Sequence, residues 1–210
     1  MKYTTFDDLT VRQYQEIVSI QTDTEMAQED KIIQSIMVLT GATEREVEEL
    51  TITEFNKIGS ELAVIFSQEL EDQKPPRYLR IGGKLYGITY NPRNLTYYQY
   101  ADIQSWVSGN AIHNTHKVVA SLAYPVKGWL KIKGKNEADK HYLLSEEVLD
   151  CKYKDVHAIC VFFSLLWNNS IKALADSLVK DKKETLTPRE REQMKILLQA
   201  VSDGSIIPKG

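Results

Sequence analysis

His113 and His116 stand three residues apart, a spacing that sets two imidazoles on one side of a helix as a metal site requires. No nearby carboxylate or cysteine at ligand spacing completes the set, so they read as a solvated or helix-capping pair. Cys151 and His157 are the residue types of a nucleophile and its base. Six positions apart they do not stack on one helix, and no glycine turn of the oxyanion kind accompanies them. Gly82-Gly83 lacks the G-x-G-x-x-G or G-K-[ST] context of a phosphate cradle and reads as a hairpin turn. Glu48-Glu49, Glu71-Asp72 and Glu146-Glu147 fall in polar stretches, whereas general acid–base work needs carboxyls whose pKa values burial has pulled apart. The expectation is a non-enzymatic protein with no catalytic residue, cofactor or metal.

What remains is recognition. Tyr78, Tyr86, Tyr90, Tyr97, Tyr98, Tyr100, Trp106 and Trp129 are interleaved with basic residues in the middle of the chain. Such a surface can stack bases and neutralise phosphates, or can anchor a protein partner. A sequence pI near 5.9 opposes the nucleic-acid reading, which stands as an alternative. As partner contacts the aromatics around the hairpin are expected: Tyr78, Tyr86, Tyr90 and Trp129, each of which could instead close the core.

These residues are positioned by a mainly helical chain with a change of period in the middle. Thr10 precedes a helix with Val11, Tyr14, Ile17 and Val18 on one face. A second, from Ala27 to Thr40, groups Ile32, Ile33, Ile36 and Met37 and stops at Gly41. Thr43 and Glu46 form a capping box, and Thr53 opens a helix whose face holds Phe55, Ile58, Leu62, Ile65 and Phe66 and which ends before Lys74-Pro75-Pro76. Alternation then takes over: RYLRI and KLYGITY flank Gly82-Gly83 as a β-hairpin. Thr96 caps a helix over Tyr97–Val107 closed by Gly109, and another covers Asn114 to Ala123, cut by Pro125. GWLKIKGKN reads as a lone short strand or an extended arm before a lysine-rich loop near 133–140. From Asp155 to Val179 runs a helix apolar on nearly every face between Ala158 and Trp167, expected at the centre of the packing. Thr187-Pro188 starts a final helix with Met194, Leu197, Leu198 and Val201 inward; Gly204 ends it before a short tail.

The fold class is therefore α+β, predominantly helical: a helical N-terminal section, a small β-hairpin, an apolar central helix and a final helix. Of the 210 residues 42% are hydrophobic, enough for a core. An acidic helical section, 1–74, and a basic hairpin-plus-helical section, 75–210, are expected to pack as a single compact domain. Charge is segregated: residues 1–72 carry 5 Lys/Arg against 16 Asp/Glu, 73–144 carry 11 against 3, and 145–210 carry 10 against 10. The first two thirds are expected to attract each other within one chain or between copies, which admits self-association. No apolar stretch is long enough to span a bilayer and no signal peptide opens the chain, so neither membrane nor secretion is expected. Two cysteines are too few for a disulfide framework and suit a reducing compartment.

The order of features resembles a known family. F-x-x-L-T-x-x-Q-Y-Q-E-[ILV] (Phe6 to Ile17) is followed by LTGATEREVEELTITEF (Leu39 to Phe55), the I-x-G-K-x-Y hairpin (Ile81 to Tyr86), LTYYQYADIQ and a late apolar helix. Over roughly residues 5–107 this is similar to the small tail-assembly proteins of tailed bacteriophages, the tail assembly chaperones and baseplate hub assembly proteins. The resemblance implies a non-enzymatic protein of the host cell cytoplasm that holds an unassembled phage tail protein, such as a tape measure or hub component. The strongly apolar late helix also suits a structural subunit of the virion at the baseplate, tail or head-tail junction. The acidic helices could offer a charged apolar groove to a partner helix, and the hairpin edge could accept an added strand.

Overall fold

Thr10 shows how the chain starts its first helix, α1 (Val11–Thr22): its hydroxyl accepts from the Gln13 backbone, and the Gln13 side chain returns to the Thr10 N–H. A helix start leaves further donors unpaired. Here Val11 N–H donates to the Cys151 carbonyl at 3.0 Å and Arg12 N–H to that of Leu149 at 2.9 Å, while Tyr153 N–H returns to Leu9 at 2.7 Å. A seam of backbone bonds thus closes the start of α1 against residues 149–153. In the computed structural model the described residues are 6–67, 74–107, 111–127, 132–133 and 141–181. Gly109, Trp129, the lysine-rich stretch 134–140, Glu71-Asp72 and the expected final helix with its tail lie outside them.

Three further helices follow: α2 (Gln28–Thr40), α3 (Glu44–Glu48) and α4 (Ile52–Ser67). Gly41 ends α2 at φ 69°, a conformation in which glycine carries no Cβ penalty. Thr43 and Glu46 form the expected box at α3. The cap of α4 is Thr51 rather than Thr53: its hydroxyl and N–H both donate to the Glu54 carboxylate and its oxygen accepts from Glu54 N–H. Leu9, Ile17, Ile36, Leu39, Val47, Ile58 and Leu62 bury together as one core.

The hairpin joins β1 (Tyr78–Ile81) to β2 (Lys84–Ile88), with Gly82 at φ 53° and Gly83 at φ 76°, the two left-handed positions of a tight hairpin turn. It belongs to an antiparallel sheet of order β1-β2-β3-β4, in which β3 is Ala123–Lys127 and β4 Ile132–Lys133. Two expectations change here. Pro125 does not merely cut a helix; it lies inside β3, opposite Tyr86. Ile88 donates to Arg77 in β1's direction and Thr89 to Leu122 in β3's, so Tyr86 and Pro125 form a non-hydrogen-bonded pair and the missing N–H costs no bond to β2. The GWLKIKGKN strand is not lone, because β4 pairs with β3. Gly87 leaves room for its cross-strand partner: a Cβ there would meet the far end of the Tyr124 ring, which would have to shift.

Helices α5 (Tyr97–Val107), α6 (Ala111–Leu122), α7 (His141–Val148) and α8 (Tyr153–Asp181) complete the elements of the described residues. The inner face of the sheet, with Leu79, Ile81, Ile88 and Ala123, packs with Ile103, Val119, Leu122, Leu144, Val148, Val156, Ile159 and Phe163 into a second core that also takes Val11. The central position belongs to α6, which touches α1, α5, α7 and α8. Helix α8 buries Ala158, Ile159 and Phe163 but leaves Val161 and Leu165 exposed, so an all-round apolar sequence is here buried on one side only. Helix α1 serves both cores: Val11 enters one, Ile17 the other, and Tyr14 packs against each. The molecule is mainly helical with one small antiparallel sheet.

Candidate protein-binding groove

The residues with chemical potential are occupied structurally. His116 is buried, not solvated, and lies 3.3 Å by Nδ1 from the Gln15 amide nitrogen; burial lowers its pKa to about 4, with smaller contributions from nearby cations. His113, one turn earlier, is half-buried. Cys151 sits in the turn before α8, its thiol directed at the Arg80 and Glu147 carbonyls, and burial pushes its pKa up to about 11. His157 instead rests its ring on Tyr153 and is lowered by burial. Among the described residues no three His, Cys, Asp or Glu side chains gather as a metal site, and no helix is long and apolar enough to cross a membrane.

The hairpin tyrosines divide. Tyr86 is half-buried on the core face of the sheet. Tyr90 packs edge-on against Phe162 and donates its hydroxyl to the Pro76 carbonyl at 2.7 Å, and its pKa is raised by burial. Tyr78 lies on the opposite face of the sheet, half-buried. Among the described residues the aromatics most open to solvent are elsewhere: Tyr97 and Tyr98 at the start of α5, 78% and 80% exposed, and Tyr142 on α7. The outward carbonyl of Arg80 on edge strand β1 already accepts from Cys151, which leaves less of that edge for an added strand.

An open groove runs instead along the N-terminal helices. Its volume is about 630 Å³, and it is lined by Gln13 and Glu16 of α1, by Asp30, Ile33, Gln34, Met37 and Val38 of α2, and by Gly41, Ala42 and Glu44. The α2 residues recur at three-and-four spacing, a stripe beside the one that buries Ser35, Ile36 and Leu39. Ile33, Met37, Val38 and Ala42 form a half-buried apolar floor, while Glu16, Asp30 and Glu44 stand exposed around it. Gln13 fixes the geometry, because the side chain that caps α1 also donates to the Val38 carbonyl, at 3.1 Å, in the last turn of α2. The sequence signal was the excess of apolar positions on α2: Ile32, Ile33, Ile36, Met37, Val38 and Leu39 exceed what one buried stripe uses. No protein-family model, curated protein or solved structure matches the chain.

Proposed function

We propose that this chain is a non-enzymatic assembly protein of a tailed bacteriophage, which holds an unassembled tail or baseplate component in the host cell cytoplasm. The motifs from Phe6 to Ile17 and from Leu39 to Phe55, similar to those of tail assembly chaperones and hub assembly proteins, support the phage assignment. The observation that carries the binding role is the α1–α2–α3 groove, whose apolar floor and carboxylate rim have the form that receives an amphipathic helix. Affinity purification of the tagged chain from infected cells, with mass spectrometry of the bound material and of purified virions, tests it. The expected result is co-purification with a tape measure or hub component and absence from the particle. Stoichiometric presence in virions would make the chain a structural subunit, and steeply salt-dependent retention of nucleic acid alone would favour the third reading.

A further inference from the structure

We propose that the groove takes a basic amphipathic helix of a different protein; this names the partner's chemistry and rests on the reading of the chain as a holder of another protein. From Asp30 to Gly41 the lining stripe advances eleven residues, about 16 Å of helix, which matches roughly three turns of an occupant. Ile33, Met37, Val38 and Ala42 offer an apolar floor for side chains one turn apart, with Met37 able to adapt to their shape. Glu16 lies on the α1 wall, Asp30 toward the start of α2 and Glu44 beyond its end, so the carboxylates surround the floor. None of the three makes an ion pair among the described residues. Lys31, the one cation of α2, turns its ammonium to the Gln21 carbonyl at 3.1 Å and leaves the rim uncompensated.

Charge therefore selects the occupant. An acidic helix would meet like charge, whereas lysines or arginines flanking an apolar face would pair with the rim and be steered by the acidic first third. Among the described residues a second copy of this chain does not supply such a helix. Helices α5 and α7 contain no Lys or Arg, α6 contains only Lys117, and the three lysines of α8, Lys154, Lys172 and Lys180, are matched in number within it by Asp155, Asp176 and Asp181.

The test uses the full chain and a fluorescein-labelled designed peptide of about 18 residues, with leucines on one helical face and lysines on the other. Two comparison peptides accompany it, one shuffled so that the leucines no longer share a face and one with glutamate in place of every lysine. Anisotropy is expected to show binding of the basic amphipathic peptide, weakening about tenfold or more between roughly 50 and 300 mM salt. The shuffled and acidic peptides should bind at least about tenfold more weakly. Glu16→Gln, Asp30→Asn and Glu44→Gln combined should weaken binding about tenfold, and Met37→Lys by at least as much, with unchanged circular dichroism. Should Met37→Lys unfold the chain, the rim substitutions, all at exposed positions, decide alone. Equal binding of the acidic peptide, indifference to the rim substitutions, or cross-links from the groove to a second copy would overturn the proposal. A chain that still captures a tail component with the rim neutralised would retain its function and lose this partner chemistry; one that binds the peptide through the groove but captures no tail component would do the reverse.

Discussion

Gln15 Nε2 can only donate, so its 3.3 Å approach to His116 Nδ1 assigns the ring proton to Nε2 and keeps the imidazole neutral. The same amide donates to the Ile112 carbonyl at 2.9 Å, which makes Gln15 the bolt between α1 and α6. A proton on Nδ1 would set N–H against N–H in a buried site. With the folded pKa near 4 and the ordinary value 6.5, the unfolded chain takes up the proton first. The stability due to neutral His116 is therefore whole above pH 6.5 and is lost as pH falls toward 4, by at most about 3 kcal/mol. Denaturant titrations of the wild type and His116→Asn should converge over that window, and parallel curves would contradict the assignment. The spacing of His113 and His116 showed that both lie near one side of a helix, but not which of them faces α1. That depends on Gln15, a residue about 100 positions away.

Among the elements, those with local causes were legible. Thr10, Thr43 and Thr96 each stand three residues before a Gln or Glu that returns the bond, and each begins a helix where expected. Thr53 was misplaced because TITEF offers two threonines; only Thr51 has a carboxylate three residues on, and Glu54 is held ionised below its ordinary range by that hydroxyl and N–H. Thr51→Ala should cost about 1 kcal/mol in chemical denaturation, and Thr53→Ala no more than about 0.5 kcal/mol. Strand β3 was illegible for the opposite reason. Its proline argues against a strand until the register shows that position 125 owes β2 no hydrogen bond, and its Tyr124 takes up the space that Gly87 leaves. Helix α7, with Leu144, Ser145 and Val148 buried, is too short for its period to stand out from the polar stretch before it. The groove was legible only as a possibility of the acidic helices, since which apolar stripe of α2 stays uncovered follows from how α1 and α4 pack on it.

For the whole molecule, the charge segregation suggested attraction between the acidic and basic thirds. The ion pairs at the seam join different partners: Asp7 to Lys154, Asp8 to Lys152 and Arg12 to Asp150, all between the first twelve residues and the last third. They are largely solvent-exposed, and such pairs contribute little and are screened. Raising salt from about 20 to 500 mM should lower the melting temperature by no more than about 4 °C, whereas a larger fall would show the segregated fields to be structural. The seam has a further consequence for the chain as it is made. Leu9 to Arg12 bond to Leu149 to Tyr153, across about 140 residues, so at a translation rate of about 5–20 residues per second the first helix waits on the order of 10 s for those partners. Among the described residues the buried part of the first core is drawn from Leu9 to Leu62 and the groove lining from Gln13 to Glu44. The groove proposed to bind a partner is thus encoded to emerge from the ribosome well before residues 149–153, which close the seam, and the proposed partner could meet it on the nascent chain.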